Sequence, residues 1–270
     1  VGMASLIHVG GSGRIYKSDG GGVIMKFDDF GQINVSYGGV EMGQGLHSAL
    51  SLTVAEALGV SPDKITINPT DTGTCPWDVG THASRGAFIA CNAALAAAEK
   101  ARAQIFAAAE EVFPRLARQN LERYRTEHPD YRVPAFDVAT AAKADRFELT
   151  DGQIVVSGAP DEPWLKVDLD RLLRAIHFRG SRGEVITTAA FYEPQSELPD
   201  WRKGVGNMSA TYAYGAQGAE VEVDEETGEV RIVRMVAAHD VGKVLNPQTL
   251  AGQAYGGLAQ GVGYALYEEG

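Results

Sequence analysis

Apolar and polar residues alternate along several short stretches of this chain, and in other stretches the apolar residues recur every three or four positions. Alternation next to turn residues predicts strands. The predicted strands lie at 1–8, in a hairpin over 23–37 around the turn Asp28-Asp-Phe-Gly31, at 65–68, in a hairpin over 147–157 that turns at Asp151-Gly152, and over 212–238 around the turn 224–229.

Helical spacing predicts four helices. They lie at 47–58, ended by Gly59; at 84–113, with Ser84 as N-cap; at 168–178; and at 249–267, after Asn246-Pro247. Pro114 is expected to end or kink the second helix, because proline lacks a backbone N–H. Loops are predicted at 71–80 and, within the polar stretch 115–134, at 128–131, and Gly10-Gly-Ser-Gly-Arg14 is expected to be a flexible turn.

This order of elements predicts an α+β fold with hairpins and long helices. A hairpin, a glycine-rich turn and a helix at 23–58 are echoed by a hairpin, a loop and a helix at 219–267, which suggests an internal repeat. No low-complexity linker separates the two halves, so we expect one compact domain with approximate lobes 1–145 and 146–270. Both ends of the chain look cut, and we expect it to be part of a larger polypeptide.

The charge and the cysteine content of the chain limit the kinds of binding partner and metal site that it can be expected to have. The formal net charge of -11 argues against nucleic acid or an anionic membrane surface as the main partner, because both attract basic patches. Cys75 and Cys91 form neither a CxxC pair nor a zinc-finger spacing, so a disulfide framework and a structural zinc site are not predicted. No apolar run is long enough for membrane insertion, and no signal peptide opens the chain. The expected setting is the cytoplasm.

Residues 38–45, Gly38-Gly-Val-Glu-Met-Gly-Gln-Gly45, lie between a predicted strand and a predicted helix. Glycines there expose backbone N–H groups, and a helix N-terminus favours anions. Gln44 offers a donor and an acceptor, which suits a pterin edge or an oxo ligand of a metal. A tight turn that binds nothing is the alternative.

The loop 71–88 runs into the long helix and carries Ala83, Ser84, Arg85 and Gly86 at the helix start. A phosphate or another anion would be favoured there by the helix end, the hydroxyl and the guanidinium. A helix cap with a solvated arginine is the alternative. His82 has three candidate roles: ligand, proton carrier or hydrogen-bonded loop histidine.

The predicted helix after Pro247 contains five glycines within 252–263, each of which weakens a helix by roughly 1 kcal/mol relative to alanine. Close packing against another helix or against a ligand must compensate for them. Gln253 and Gln260 are the polar side chains within this glycine-rich part.

Together, in this order, these segments resemble the molybdenum-binding portion of the xanthine oxidase family, which includes xanthine dehydrogenases, aldehyde oxidoreductases and 4-hydroxybenzoyl-CoA reductases. Val40-Glu-Met-Gly-Gln-Gly-Leu-His47 is similar to a family motif nearly unbroken, and Thr81-His-Ala-Ser84 is similar to its Thr-Ala-Ala-Ser segment. Val236-Ala-Ala-His-Asp-Val-Gly-Lys-Val-Leu-Asn-Pro247, followed by Gly252-Gln253 and Gln260-Gly-Val-Gly263, resembles its closing pattern. The middle, from about 115 to 200, is less recognisable.

The resemblance implies a molybdenum–molybdopterin cofactor, in bacterial relatives usually the cytosine dinucleotide form. The residues that would bind it share these motifs; they are Met42, Gly43, Gln44, Gly45, Ala83, Ser84, Arg85, Gly86 and Gln253, with Arg85 near the phosphates and none of them a direct metal ligand. The family often has alanine where this chain has His82. His82 and Trp77, with Asp78, are therefore expected to shape a substrate pocket, which argues against a purine substrate.

Family enzymes insert a water-derived oxygen at an electron-poor carbon of an aromatic, heterocyclic or aldehyde substrate, using a glutamate base. Electrons leave through iron–sulfur clusters and usually FAD on other domains or subunits. The base glutamate, an upstream glycine-rich pterin loop and the cluster cysteines do not occur in this sequence. We therefore expect this segment to be inactive alone and to need the remaining part of the molybdenum subunit. Two alternatives stay open: a reductase of an aromatic acyl-CoA, and a scaffold or assembly subunit without cofactor.

Overall fold

The computed structural model describes residues 1–11 and 18–269. Within them, three sheets are formed by β1 Gly2–Gly10, β2 Gly21–Phe27, β3 Ile33–Tyr37, β4 Ile65–Ile67, β5 Phe147–Thr150, β6 Gln153–Val156, β7 Val167–Asp168, β8 Thr187–Tyr192, β9 Thr211–Val223 and β10 Val230–Asp240. The α-helices are α1 Leu46–Leu58, α2 Gly86–Glu127, α3 Val138–Ala141, α4 Leu169–His177 and α5 Pro247–Leu266. The predicted strands and helices are all present, whereas α3, β7 and β8 were not anticipated.

The central sheet has the strand order β4-β3-β2-β8. Strand β2 is antiparallel to both β3 and β8, and β3 is parallel to β4, with α1 crossing between them. Along β3, Ile33, Val35 and Tyr37 are buried while the residues between them are half-buried. This period of two explains why the hairpin could be predicted, since successive side chains of a strand point to opposite faces.

Helix α2 contacts the central sheet and runs beside α1. Its buried face is rich in alanine, including Ala94, Ala97 and Ala101, which are fully or almost fully inaccessible to solvent. Spacings of three and four residues place them on one side of the helix. Small side chains let the helix approach its neighbours closely. This close packing stabilises the 42-residue helix even though its residues are only modestly hydrophobic on average.

The predicted helix end at 113 is wrong, because α2 continues to Glu127 with Pro114 inside it, and the alternative of a kink at Pro114 stays a prediction. An internal proline costs about 3 kcal/mol or more. Phe113 and Ala117 on either side of it are completely buried, and this burial offsets the cost. The predicted loop at 128–131 follows directly.

Ser84 was predicted as the N-cap of the long helix, and this prediction is also wrong. The helix begins at Gly86, its N-cap is Arg85, and no side chain of the described residues caps it. Ser84 has a left-handed backbone, with φ of 55°, and is exposed. This is not the extended backbone that is typical of a serine capping a helix with its hydroxyl.

The two other sheets lie at the sides of this core. The sheet β5-β6-β7 turns between its first two strands at Asp151 and Gly152, both with positive φ, as a two-residue hairpin turn requires. The sheet β1-β9-β10 is antiparallel, with a bulge in β10. Strand β1 pairs with β9, and β2 pairs with β8, so strands from both 1–145 and 146–270 share sheets. The division into two lobes and the internal repeat stay predictions.

Neither the sheet β1-β9-β10 nor α5 is buried by the described residues. Most of β1 is exposed, and α5 contains no buried residue in the described part of the chain. Met3, Ile7 and Tyr255 are among the apolar side chains that face solvent there. No helix among residues 1–11 and 18–269 has both the length and the apolar character to span a membrane. The predicted turn at 10–14 lies outside the described residues except for Gly10 and Gly11.

Candidate molybdopterin-binding site

The loop between β3 and α1 folds back on itself. The side-chain amide of Gln44 donates a hydrogen bond to the Val40 carbonyl (2.8 Å) and accepts one from the Met42 N–H (2.6 Å). Met42 itself is exposed. Gly43 has φ of 97°, and a Cβ built there would meet no atom within 4 Å. One donor and one acceptor position of Gln44 and one open face at Gly43 are therefore left for a ligand.

The N-terminus of α1 is occupied by a side chain of this same loop. One carboxylate oxygen of Glu41 accepts hydrogen bonds from the N–H groups of Gly43 (2.8 Å) and Gly45 (3.0 Å). The other accepts from the N–H of His47 at 2.8 Å. Sequence reasoning anticipated an open anion site at this helix start. The chain supplies the anion itself.

The electrostatics of Glu41 agree with this arrangement. Burial by itself raises the pKa of the Glu41 carboxyl, but the backbone hydrogen bonds, the strongest from His47, outweigh it and lower the pKa below the ordinary value. Beneath the loop, Tyr37 is 1% exposed, and its hydroxyl has no hydrogen-bond partner among the described residues. Burial, and then the charge of Glu41, raise the pKa of Tyr37 to about 12.

The second loop, 71–85, meets the first through Thr81. Its hydroxyl accepts a hydrogen bond from the N–H of Val40 at 2.7 Å. Farther along, Ala83 and Ser84 have φ of 47° and 55°, and both are exposed. The left-handed region is unfavourable for residues with a Cβ, by about 1–2 kcal/mol each. Strain at two successive residues is typical of functional sites, where the surrounding structure compensates for it.

Arg85 is the compensating group. Its guanidinium is 1% exposed and donates to both Asp19 (2.8 Å) and Asp78 (2.6 Å). Its other donors bind the carbonyl oxygens of Asp19, Gly20 and Gly80. All five donors of the side chain are thereby used. The prediction that Arg85 lies near the cofactor phosphates needs correction: it has no donor left for a phosphate, and it fixes the loop instead.

Asp78 is also reassigned. Its side chain is 7% exposed, and besides Arg85 it accepts a hydrogen bond from the N–H of Gly80. It therefore belongs to the buried ionic cluster and does not shape a substrate pocket. Trp77 is exposed and packs on Phe191 with ring centroids 5.9 Å apart. His82 is half-buried against Gly80. Whether Trp77 and His82 shape a substrate pocket stays a proposal.

The third segment approaches the first at the start of α5. Asn246 caps this helix, accepting hydrogen bonds from the N–H groups of Gln248 and Thr249. A Cβ built at Gly45 would lie 3.1 Å from the Thr249 side chain, so the Gly45 backbone lies close to that side chain. Gln253 follows Thr249 by four residues and therefore lies on the same face of α5, exposed, one turn farther on. All three sequence motifs thus converge around the loop 38–45.

Sequence reasoning missed the residues that hold this convergence together. Asp19 lies more than sixty positions before Arg85, and nothing in its neighbourhood marks it. Glu41 and Thr81 lie inside the recognised motifs, but their polar atoms bind the backbone rather than a ligand. A partial signal existed for Glu41, because acidic residues favour the first turns of helices.

A family model described as a molybdopterin cofactor-binding domain matches residues 1–270. The chain belongs to this family. Over 243 residues, this molybdopterin cofactor-binding domain is 31% identical to the 6-hydroxypseudooxynicotine dehydrogenase complex subunit gamma of Paenarthrobacter nicotinovorans, covering 88% of the chain and 25% of the relative. Over 240 residues it is 28% identical to the xanthine dehydrogenase molybdenum-binding subunit of Escherichia coli O157:H7, and this match covers 88% of the chain and 26% of the relative.

The fold of the domain is shared with quinoline 2-oxidoreductase from Pseudomonas putida 86, with a TM-score of 0.74 and 22% identity over 99% of this chain and 30% of the other. The α+β class and the membership in the xanthine oxidase family are thereby confirmed. The domain spans about a quarter of the length of the curated relatives quoted.

Proposed function

We propose that this molybdopterin cofactor-binding domain forms one wall of the molybdenum–molybdopterin site of an oxidoreductase that acts on an aromatic, heterocyclic or aldehyde substrate. The observation that carries the proposal is the convergence of the three segments: Thr81 joins the second loop to the first, and Gly45 touches Thr249 at the start of α5. In this proposal, residues 42–45 and Gln253 contact the pterin.

The two helix starts differ in a way that fits the parts of the cofactor. At the start of α1, the N–H groups of Gly45 and His47 are taken by Glu41. No described side chain caps α2, which begins at Gly86 next to the exposed Ser84. An uncapped helix N-terminus favours a phosphate, whereas a carboxylate repels one. We therefore assign the anionic part of the cofactor to Ala83, Ser84 and Gly86, and its uncharged pterin edge to the first loop.

When bound, the molybdenum cofactor would provide the chemistry for inserting oxygen at an electron-poor carbon. This chain's residues bind and orient the cofactor, and Trp77 and His82 would border the substrate. Iron–sulfur and FAD partners would take up the electrons, and the cytosine dinucleotide form of the pterin and a cytoplasmic setting belong to the same proposal. The names of the relatives refer to dehydrogenases of 6-hydroxypseudooxynicotine and of xanthine. No observation favours the acyl-CoA reductase alternative over this one.

The remaining part of the molybdenum subunit is the proposed cover of the sheet β1-β9-β10 and of α5. Their apolar side chains, among them Met3, Ile7 and Tyr255, face solvent in the described structure. Many large apolar side chains exposed on one sheet and one helix are typical of an interaction site. The partner would therefore bury both faces of this sheet and complete the site from the other side.

The deciding experiment measures the metal and pterin of the native protein, purified with its partners. We expect about one molybdenum atom per chain by elemental analysis and a fluorescent pterin on denaturation, as for a tightly held cofactor. An intact complex that lacks both would refute the proposal and favour the scaffold alternative. Assays with an aldehyde or N-heterocycle plus an electron acceptor, and with an aromatic acyl-CoA plus a reductant, separate the two enzymatic directions.

A further inference from the structure

The Glu41 side chain binds three backbone N–H groups, two in the loop 38–45 and one in α1. Its carboxylate accepts hydrogen bonds from the N–H groups of Gly43, Gly45 and His47, all at 3.0 Å or less. The acceptor is ionised, so these are charge-assisted hydrogen bonds, which are stronger than neutral ones. One of them, from His47, also satisfies an otherwise unpaired N–H in the first turn of α1.

The conformation of the loop depends on such an anchor. Gly43 and Gly45 both have positive φ, of 97° and 85°, and glycine loses more conformational freedom on ordering than any other residue. The Gln44 side chain adds only local hydrogen bonds, within four residues of its own position. Without the Glu41 carboxylate, the loop would keep its hydrogen bonds from Val40 to Thr81 and from Thr70 to Gly39, but the hydrogen bonds that hold it to the start of α1 would be lost.

We propose that Glu41 is a positioning residue for the cofactor: its carboxylate fills the anion position at the start of α1 and holds residues 42–44 in the conformation that contacts the pterin. The inference rests on the proposed function. It adds that the loop 38–45 binds an uncharged part of the cofactor, whereas the start of α2 binds the anionic part. Since a carboxylate already neutralises this helix end, the loop receives an uncharged edge of the ligand. Glu41 acts through the backbone and need not touch the cofactor.

The test uses the native protein with its partners, as Glu41→Ala and as Glu41→Gln, which keeps the shape of the side chain. Glu56, which lies in α1 itself but is exposed and in a 3.6 Å ion pair with Lys243, provides the matched controls Glu56→Ala and Glu56→Gln. Hydrogen exchange by mass spectrometry follows the amides of 42–47. Molybdenum and pterin are quantified after gel filtration.

We expect Glu41→Ala to speed exchange in 42–47 by about tenfold, because charge-assisted hydrogen bonds are lost, and to lower molybdenum and pterin content several-fold. Glu41→Gln should show smaller changes in the same direction. If Glu41→Ala does not fold, the exchange rates and cofactor content of Glu41→Gln test the inference instead. Both Glu56 variants should match the wild type.

Unchanged exchange in both Glu41 variants would overturn the inference. Faster exchange with full cofactor content would also overturn it, because Glu41 would then only stabilise the helix start. A wild type without molybdenum and pterin would instead refute the proposed function, and the role of Glu41 at the cofactor with it. Loss of cofactor in the Glu41 variants alone, from a loaded wild type, is the supporting result.

Discussion

The hydroxyl of Thr81 accepts a hydrogen bond from the backbone N–H of Val40 across 2.7 Å. The two residues lie 41 positions apart, in the two loops that the family motifs occupy. A neighbouring contact supports the same junction, because a Cβ built at Gly39 would lie 3.3 Å from the Thr81 hydroxyl oxygen. This pair therefore helps to fix the relative position of the two loops, beside the hydrogen bond from Thr70 to the Gly39 carbonyl.

Replacing Thr81 by valine keeps the shape of the side chain and removes the acceptor. We expect Thr81→Val to lower the free energy of unfolding by about 1 kcal/mol and to weaken cofactor retention, because the Val40 N–H loses its partner. Thr81→Ser keeps the hydroxyl and should retain the cofactor. Chemical denaturation and molybdenum content measure the two effects. Cofactor loss in Thr81→Ser but not in Thr81→Val would show that the methyl group, rather than the hydrogen bond, matters.

Gln44 can be tested for a contact beyond its own loop. Gln44→Ala is expected to lower molybdenum occupancy or turnover about fivefold, the equivalent of one lost hydrogen bond. Gln44→Glu keeps the acceptor for the Met42 N–H but loses the donor toward Val40 and any donor toward the pterin. Occupancy and turnover at wild-type levels in Gln44→Ala would contradict the assigned role.

Arg85 should contribute strongly to stability. Arg85→Lys keeps the charge but cannot reach all five acceptors, and we expect a loss of about 3 kcal/mol, as for a broken buried ion pair. Arg231, which is exposed and pairs with Glu222 between β9 and β10, gives the control Arg231→Lys. Urea denaturation of both variants provides the comparison. A wild-type midpoint for Arg85→Lys would rule out the anchoring role.

The pH dependence of the loop follows from Glu41. Its pKa is lower in the folded protein than the ordinary value of 4.5, so its stabilising effect is complete above that value and is lost as the pH falls through the lowered pKa. Exchange in 42–47, corrected for intrinsic rates, should therefore accelerate below about pH 4.5 in the wild type. Glu41→Gln should lack this acceleration, and an identical profile in both proteins would be the contrary outcome.

Alanine variants of two glycines with positive φ can distinguish the cost of backbone strain from the cost of a steric clash. Gly59 ends α1 with φ of 61°, and a Cβ there would lie 2.4 Å from the Leu149 carbonyl oxygen. Gly152 has φ of 73°, but a Cβ there would meet nothing within 4 Å. We expect Gly152→Ala to cost about 1–2 kcal/mol, the strain alone, and Gly59→Ala clearly more. Thermal unfolding measures the stability of both variants. Equal losses of stability would refute the predicted clash between a Cβ at position 59 and the Leu149 carbonyl oxygen.

Several elements could be predicted because their signals are local. The hairpin 147–157 has a turn sequence whose two residues both adopt positive φ, and Gly59 ends α1 in the left-handed conformation that favours glycine. The family motifs were recognised for the same reason, since each is a short uninterrupted run of residues. Pro114 shows the limit of local signals, because burial on both sides of it decided that the helix continues.

The sequence by itself determined the periodic elements, their order and the family, since these depend on neighbouring residues. The tertiary structure alone decided which loops meet through Thr81 and what the charged side chains bind. Glu41 binds the start of α1, and Arg85 binds Asp19 and Asp78 rather than a phosphate. A charged group takes the partners that the folded backbone brings within about 3 Å of it, and that distance is set through space and not along the chain.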